Sequence, residues 1–422
     1  MNELYPFQRA GADWLKMADH ALLADQPGLG KTVQTLVAAA ELGCMDILVI
    51  CPAIAKAHWR KHFETWHPQA VGTIVTYDKL SRDAAFIKTL REQEWDLLIL
   101  DEAHYLKTKK AKRTKAVYGP ANKLTGGIAK SAKRVWLLTG TPSPNHAGEL
   151  WTHMRALWPK LILNQARQPM NEYEFQNKFC KVKDTTFGRQ ITGSANIPEL
   201  RMRLAPAILR RMKTAVLPEL PPLVFRLLPV DPPSYMDQEP PSEMPQELDG
   251  DELLAWIKAN AVALAAERRQ VGLLKAEVAC EWIINELEGN TRKLIVFAWH
   301  KDVLKTIFER MNEYVPVLID GSVPETARTK IIDRFQTDPT CRLFIGQIKA
   351  CGVAITLTAA SDILFVEQDW TPDNNYQAAC RAHRIGQKDG VLAQAMYLNN
   401  SVDERVQRAL VRKQNDLVKL YD

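Results

Sequence analysis

The sequence predicts an α/β fold made of two parallel-sheet units with helices between their strands. Up to about residue 150, short apolar runs alternate with helical segments, which is typical of a parallel sheet with helices on both faces. The same alternation returns after Val271. The strands expected in this second unit are 293–299, 316–319, 342–345, 362–366 and 393–398.

Composition places the chain among ordinary globular proteins. It is 46% hydrophobic and 25% charged over 422 residues, which predicts two or three domains. It contains no apolar run of 18 residues, and its first residues do not resemble a signal peptide, so we expect neither a membrane span nor secretion. Seven scattered cysteines without a Cys-x-x-Cys pair suggest neither zinc nor disulfides. The net charge of +6 permits nucleic-acid binding without demonstrating it.

A glycine loop after the first apolar run is a candidate phosphate site. Gly28 and Gly30 allow the backbone to approach a ligand closely, and the N–H groups of the helix that follows point towards the loop. Lys31 can reach the β- and γ-phosphates, and the Thr32 hydroxyl can bind Mg²⁺. Asp25 stands where the usual P-loop pattern has its first glycine. Taken alone, this segment could be an ordinary helix N-terminus.

Two acidic residues about 70 positions after the loop supply a candidate metal ligand and a candidate base, which the loop lacks. They follow residues 95–100, an apolar run too short for a helix and suited to a buried parallel strand. Asp101 therefore lies at a strand's carboxyl end, where open α/β sheets bind ligands. We expect Asp101 to bind Mg²⁺ and Glu102 to take a proton from an attacking water. In isolation, such a pair could simply begin a helix.

A basic block follows these carboxylates. Residues 105–134 contain ten Lys or Arg and no acidic residue. Such a run can be a solvated surface, but its position beside a nucleotide site suggests contact with a phosphate backbone. The candidate nucleic-acid ligands in this block are Lys107, Lys109, Lys110, Lys112 and Arg113.

Together these motifs resemble those of helicase-superfamily-two ATPases of the Swi/Snf type, which are double-stranded DNA translocases. The resemblance covers most of the chain in the family's order and explains Asp25, because the family's loop reads Asp-x-x-Gly-Leu-Gly-Lys-Thr. Gln26 and Pro27 depart from the family's usual Glu-Met, which should alter loop stiffness more than phosphate binding. Residues 269–275 look nearest to the annealing-helicase branch. The other matching segments are 4–15, 25–32, 50–53, 101–104, 138–145, 149–151, 209–213 and 217–222.

The resemblance implies two RecA-like lobes with a nucleotide cleft between them and helical protrusions. In the first lobe it implies that Gln8 reads adenine, for which an amide offers both a donor and an acceptor, and that Leu29 belongs to the ATP-binding loop. In the second lobe it implies that Arg381 and Arg384 face the nucleotide. The two arginines are three residues apart, which would place them on one helix face; seen alone, they could be salt-bridge partners. The remaining implied residues are Gln377 beside these arginines, and Lys349, Gly352 and Thr356 in a motif that contacts DNA and links it to the site.

Four segments follow from these patterns. Residues 1–160 form the first lobe, 161–222 a helical protrusion, 223–262 an acidic Pro-rich linker and helix, and 263–422 the second lobe. Residues 151–221 are expected to be mostly helical. Residues 227–257 hold eight acids, six prolines and no Lys or Arg, which favours an exposed linker; an alternative is an acidic segment that competes with DNA.

The function expected is an ATP-dependent motor that moves on mainly double-stranded DNA and remodels or anneals the DNA or displaces bound factors, with ATP and Mg²⁺ as cofactors. We expect a monomer found in the cytoplasm, the nucleoid or a nucleus, whose targeting either comes from a partner protein or is absent. Three alternatives stay open at this point: a strand-separating DNA or RNA helicase, a motor subunit of a nuclease or defence complex, and a nucleotide-gated clamp that hardly hydrolyses ATP.

Overall fold

Two compact units make up the protein, Met1–Val216 and Leu217–Asp422. The computed structural model describes residues 3–143, 146–185, 188–231, 245, 248, 250–351, 355–399 and 403–411. Each unit contains its own six-stranded sheet, and all pairings within these two sheets are parallel. This confirms the predicted α/β class with two parallel-sheet units.

The first unit is built around a sheet whose strands come from buried apolar runs. These strands are β1 (His20–Leu23), β2 (Asp46–Cys51), β3 (Val71–Thr76), β4 (Trp95–Asp101) and β5 (Ala132–Leu138), with a hairpin of β6 (Cys180–Thr185) and β7 (Gly188–Ser194) outside the sheet, and β8 (Ile208–Leu209) at its edge. The sheet order is β3-β2-β4-β5-β1-β8. The carboxyl ends of β4, β5, β1 and β8 therefore lie side by side.

Helices cover this sheet and extend beyond it. They are α1 (Pro6–Lys16), α2 (Lys31–Glu41), α3 (Lys56–Trp66), α4 (Lys79–Arg82), α5 (Ala84–Glu92), α6 (Lys112–Tyr118), α7 (Trp151–Leu157), α8 (Glu172–Phe179), α9 (Ile197–Leu204) and α10 (Lys213–Val216). The phosphate-loop helix α2 begins directly after Gly30, as the sequence predicts.

The region expected to be mostly helical, 151–221, also contains strands. Cys180–Thr185 and Gly188–Ser194 form an antiparallel hairpin, in which Val182 packs against the core while Lys181 and Lys183 are exposed. This two-residue alternation explains the strand. Ile208–Leu209 pairs with β1 and so becomes the edge strand of the first sheet.

The second unit repeats the parallel architecture. Its strands are β9 (Leu223–Val230), β10 (Lys293–Ala298), β11 (Val317–Ile319), β12 (Leu343–Gln347), β13 (Ala360–Phe365) and β14 (Val391–Leu398), in the order β11-β12-β10-β13-β14-β9. Its helices are α11 (Gly250–Ala259), α12 (Ala265–Gly289), α13 (Lys301–Arg310), α14 (Glu325–Thr337), α15 (Ile348–Cys351) and α16 (Pro372–Ala379), and a last helical run covers 403–411.

The beginning of the predicted linker differs from the expectation. Leu223–Val230 is a strand that pairs along its whole length with Val391–Leu398. Several of its apolar side chains are partly buried, and Leu223 and Phe225 pack against the second core. Burial of these side chains, together with the strand's pairing, outweighs the effect of one proline at an edge position. Most of the acidic stretch that follows lies outside the described residues.

All seven cysteines are free and buried. Among the described residues, no group of three or more His, Cys, Asp or Glu side chains is placed to hold a metal ion. None of the helices in this described part of the chain combines the length and the apolar character that crossing a membrane requires.

Candidate nucleotide site and nucleic-acid interface

The loops that follow β1, β4 and β5 meet at one edge of the first sheet. The Thr139 N–H, just after β5, donates to the Leu23 carbonyl at the end of β1 (3.2 Å). A side chain on Gly140 would come within 2.7 Å of the Pro27 ring, so glycine is required for this close approach. The glycine loop and the carboxylate pair, which are distant in sequence, are therefore neighbours in the fold.

The phosphate loop has the conformation that its glycines allow. Gly28 and Gly30 have φ values of 93° and 74°, a region that L side chains rarely adopt. Leu29 between them is fully buried. The Lys31 ammonium donates to the Asp25 carbonyl (2.7 Å), so it lies over the loop. Thr32, partly buried, follows in the first turn of α2. N–H groups, an ammonium and a hydroxyl are thus presented where a nucleotide's phosphates can bind.

Gln8, in α1, forms a hydrogen bond with this loop. Its side-chain Nε2 donates to the Leu29 carbonyl (3.3 Å), and its Oε1 accepts from the Tyr5 N–H (3.2 Å). A side chain on Gly30 would meet the same Nε2 at 2.4 Å. Gln8 therefore lies against the loop, and its role in reading adenine stays a prediction.

Asp101 is partly buried at the end of β4. Its Oδ2 accepts a 2.8 Å hydrogen bond from the Trp59 indole, and its Oδ1 accepts one from the Glu102 N–H (3.0 Å). Burial, reinforced by the neighbouring Glu102 carboxylate, raises the pKa of Asp101 to about 6, while the Trp59 hydrogen bond and the Lys31 ammonium oppose that rise. The site therefore favours additional positive charge beside this carboxylate.

Glu102 adopts an uncommon backbone conformation, with φ 51° and ψ 53°. Non-glycine residues in this left-handed region are unusual, and functional sites are enriched in them. Its Oε2 accepts from the Thr139 hydroxyl (3.4 Å) and lies 3.3 Å from His104 Nδ1. The carboxylate is thus oriented by groups that follow both β4 and β5.

Asp25 does not face outward as a ligand for phosphate or metal. It is completely buried, and its carboxylate oxygens are bound by Arg211 and by the Gln34 amide. Arg210, the neighbour of Arg211, donates from one guanidinium nitrogen to the carbonyls of Ala24 and Gly140, at 3.1 Å each. The segment after β8 therefore contacts the loops after both β1 and β5.

Several supporting residues of the site could not be identified from the sequence. The Leu-Arg-Arg-Met-Lys segment matches a family signature, but its place beside the phosphate loop depends on a strand of only two residues. Trp59 lies in no local pattern, because its partner Asp101 is 42 positions away. Thr139 lies in the matching segment 138–145, but its bond to Glu102 joins residues 37 positions apart and is not visible in the sequence. The supporting residues that the sequence did not identify as part of the site are Gln34, Trp59, Thr139, Arg210 and Arg211.

The arginines of the second unit do not lie on a helix. Helix α16 ends at Ala379, so the expectation of a shared helix face is wrong. The chain turns because the Ala382 and His383 N–H groups both bond to the Ala379 carbonyl, and Gly386 adopts φ 97°. Gln387 secures the turn by donating to the carbonyls of Thr358, Ala360 and Ala382.

Within this turn both arginines are held in place. Arg381 donates to the carbonyl of Gln377, in the last turns of α16 (3.1 Å), and Arg384 donates to the Ile355 carbonyl (3.0 Å). Burial and the neighbouring Arg381 lower the pKa of Arg384 to about 10, so it remains charged at neutral pH. Ile355 lies between Lys349 and Thr356 in the predicted DNA-contacting motif, so this contact joins that motif to the turn that holds the arginines.

Lys349 is the first member of a row in which basic side chains alternate with aromatic rings. Its ammonium lies 6.0 Å from the Trp299 ring centre, and Arg268 stacks between Trp299 (4.7 Å) and Trp370 (4.3 Å). Lys349 itself is exposed, and Thr356, in the same motif, is partly buried. Gly352 lies outside the described residues.

The five basic candidates of the first unit fall into two groups. Lys107 pairs with Glu149 (2.7 Å) and Lys109 with Glu172 (2.6 Å), while Arg113 donates to the Tyr105 carbonyl (2.7 Å) and lies over its ring. The other two, Lys110 and Lys112, are exposed at the start of α6.

Comparison with known proteins gives two family matches. The model of the SNF2-related domain matches residues 7–75 and 69–236, and that of the helicase conserved C-terminal domain matches residues 275–386. Together they span both units.

Two curated relatives align along nearly the whole chain. A bovine protein named DNA annealing helicase and endonuclease ZRANB3 is 30% identical over 97% of this chain. A SWI/SNF-related matrix-associated actin-dependent regulator of chromatin subfamily A-like protein 1 homolog from Caenorhabditis elegans is 31% identical over 96%. The chain spans 40% and 60% of the lengths of these two relatives.

A solved structure also aligns with the chain. The Sulfolobus solfataricus SWI2/SNF2 ATPase core in complex with dsDNA is 24% identical, with a TM-score of 0.44, over 98% of this chain and 92% of that one.

Proposed function

Because this chain belongs to the SNF2-related family of helicase-like ATPases, we propose that it is an ATP-dependent motor that moves along double-stranded DNA. The observation that carries the proposal is the meeting of the phosphate loop with the Asp101–Glu102 pair at one sheet edge, with Thr139 and His104 holding Glu102. This arrangement presents phosphate-binding groups and a candidate base together, as ATP hydrolysis requires.

In the proposed mechanism, the first unit binds and orients ATP. The backbone N–H groups of the loop and the Lys31 ammonium bind its phosphates, while Glu102 accepts a proton from the attacking water at its carboxylate. The contacts of Glu102 with Thr139 and His104 keep that carboxylate in one orientation. Holding the base in place before reaction reduces the entropy cost of the chemical step.

The residues present also fit a Mg²⁺ ion. Asp101 is a carboxylate whose pKa is raised by burial and by the neighbouring Glu102, so a cation beside it would be stabilising. Thr32 supplies a hydroxyl in the first turn of α2. Oxygen donors of this kind are those that Mg²⁺ prefers. When bound with ATP, the ion would neutralise charge on the phosphates.

We further propose that the second unit supplies Arg381 and Arg384 to the transferring phosphoryl group. A planar guanidinium is suited to this role because it spreads its charge over several donors. The contact of Arg384 with Ile355 supports a link between nucleotide and DNA, since Ile355 belongs to the motif that also contains Lys349 and Thr356. ATP-dependent closing and opening of the units would then move the protein along DNA.

The decisive experiment measures phosphate release with no nucleic acid, single-stranded DNA, duplex DNA, forked DNA and RNA. We expect duplex or branched DNA to stimulate hydrolysis most. The enzyme should also displace the third strand of a triplex and push a branch point, yet fail to release a strand from a plain tailed duplex. Lys31→Ala protein purified in parallel controls for contaminating ATPases.

Two results would support other functions. Efficient separation of a tailed duplex, with stimulation by single strands alone, would indicate a conventional helicase. Tight DNA binding with negligible phosphate release on every substrate would indicate a nucleotide-gated clamp.

The proposal extends to partners and location. We propose a monomeric motor that works where the cell keeps its DNA, in the nucleoid or a nucleus. Sedimentation of the protein alone and with a forked duplex tests the monomer.

A further inference from the structure

We propose that Arg211 is a positioning residue that holds the phosphate loop ready for ATP and ties it to the segment by which the chain leaves the first unit. This inference rests on the proposed ATPase function and assigns a role to residues that the mechanism above does not use. It also gives Asp25 a role that differs from direct cofactor binding.

Arg211 binds Asp25 with two donors at once. Its Nε lies 3.0 Å from Asp25 Oδ1, and its Nη2 bonds to Oδ2. The Asp25 side chain has no solvent exposure and that of Arg211 is 15% exposed. A buried carboxylate without a partner is strongly unfavourable, so the position of the Asp25 side chain depends on this guanidinium.

Gln34 connects the Arg211–Asp25 pair to the middle of the loop. The Gln34 Oε1 accepts from Arg211 Nη2 (2.6 Å), and its Nε2 donates both to Asp25 Oδ2 and to the Leu29 carbonyl, at 3.1 Å each. Arg211 also donates to the Phe7 carbonyl of α1. The first residue of the loop, Asp25, and Leu29 between its two glycines are therefore fixed by one connected set of polar contacts.

Backbone contacts join the same segment to the entry of the loop. The Ala24 N–H donates to the Leu209 carbonyl (2.7 Å), and the Gln26 N–H to the Arg211 carbonyl (3.2 Å). In return, the Lys213 N–H donates to the Gln26 side chain (2.8 Å). Gln26 is one of the two positions at which this loop departs from the family's usual residues.

The location of these contacts suggests what they do. The boundary between the units follows Val216, in the same short helix as Lys213. The loop that binds ATP and the segment that leads to the second unit are thus bonded directly to each other. A shift of the loop on nucleotide binding must be followed by this segment or must break these hydrogen bonds.

The test uses Arg211→Lys, which keeps the charge and loses the two-donor geometry. The matched control is Arg203→Lys. Arg203 is another partly buried arginine of the first unit, and it bonds to Glu199 and to the Leu163 carbonyl, away from the loop. We expect Arg211→Lys to raise KM for ATP about 10- to 100-fold with a smaller change in kcat, because it removes preorganisation of the bound state. Arg203→Lys should leave KM within about twofold of wild type.

A second readout follows the connection itself. In wild type, ATP should slow amide hydrogen exchange at Gln26 and Lys213, and Arg211→Lys should remove that protection while Arg203→Lys keeps it. The inference would be overturned if both variants lost the same thermal stability while KM and amide exchange stayed unchanged in Arg211→Lys. Arg211 would then have a purely structural role.

Two further variants test the positioning role of Arg211 if Arg211→Lys does not fold. Asp25→Asn keeps the shape of the acceptor, and Gln34→Met removes the amide at nearly constant volume; each should raise KM, and unchanged KM in both overturns the inference. A wild-type protein that binds no ATP would instead refute the proposed function. Normal wild-type turnover with an unaffected Arg211→Lys refutes only the role of Arg211.

Discussion

Trp59 donates a 2.8 Å hydrogen bond from its indole Nε1 to Oδ2 of Asp101. Trp59 is fully buried in α3, and the Tyr77 hydroxyl bonds to the Asp101 backbone carbonyl (2.8 Å). Asp101 is therefore held at both its side chain and its main chain before any ligand arrives.

This contact predicts the behaviour of Trp59→Phe. The variant keeps an aromatic ring but loses the donor, so the orientation of Asp101 is less defined and Mg²⁺ should bind more weakly. Loss of a supporting hydrogen bond of this kind typically costs 10- to 100-fold in metal affinity or activity. A Mg²⁺ titration of ATPase activity at constant ATP measures the change. Trp136→Phe is the control, since that buried indole bonds to the Ala18 carbonyl at the opposite end of the sheet.

Glu102→Gln should abolish ATP turnover while leaving ATP bound. The amide cannot accept the proton from water, yet it keeps the shape of the carboxylate beside Thr139. Fluorescent-nucleotide binding and single-turnover phosphate release separate the two effects. Hydrolysis near the wild-type rate would show that Glu102 is not the base.

Arg384→Ala should lose about 10³-fold or more in turnover, the magnitude found for arginine fingers, with nearly normal nucleotide binding. Arg342→Ala is the control, because Arg342 also bonds to backbone carbonyls, those of Leu287, Asn290 and Arg292, but at the amino end of β12. A large loss of binding with little loss of turnover would contradict the proposed role of Arg384.

We expect the exposed lysines of the basic block to contribute more to DNA binding than the lysines that pair with acidic residues. Changing the exposed Lys110 and Lys112 to Gln should weaken DNA binding for all sequences alike. It should also flatten the slope of log affinity against log salt by about one unit for each phosphate that is no longer neutralised. Lys107→Gln should change the slope less, since that lysine pairs with Glu149. An unchanged slope in the Lys110/Lys112 variant would indicate a solvated surface.

Asp96 provides a prediction about stability and pH. A hydrogen bond from Lys133, with two more from the Asp46 and Met45 N–H groups, lowers the pKa of Asp96 to about 2. Because the folded pKa lies below the unfolded value, the stabilisation is present above about pH 4 and is lost as the pH falls towards 2. At pH 7, Asp96→Asn should lower the free energy of unfolding by about 1–2 kcal/mol, since solvent screens part of the interaction at this site.

Urea denaturation of wild type and Asp96→Asn at pH 7 and pH 3 tests this, and the difference between them should shrink at the lower pH. Asp19→Asn is the control. Asp19 is largely exposed and pairs with Arg134, and such surface pairs contribute about 0–1 kcal/mol.

The sequence was most informative where function depends on short local patterns. The loop from Asp25 to Thr32 and the carboxylates after β4 could be placed because glycine, lysine and strand-end acids act within a few residues of each other. The strands β8 and β9 could not, because each of them pairs with a strand far away in the chain, β1 and β14 respectively. Strands β6 and β7 form a local hairpin, in a region where the sequence analysis expected mostly helices. The prediction of a helix at Arg381 was wrong for a related reason. The turn there is fixed by hydrogen bonds from Gln387 to the carbonyls of Thr358 and Ala360, which are distant in sequence.

The pairing of Leu223–Val230 with Val391–Leu398 has a consequence for synthesis. The first strand of the second unit leaves the ribosome long before its partner, which is the last strand of the sheet. Until then one hydrogen-bonding edge of β9 has no native neighbour, a state that invites non-native pairing. The first unit can complete its sheet as soon as Ile208–Leu209 emerges and reaches β1. The phosphate loop can therefore be in place while the second unit is still being made.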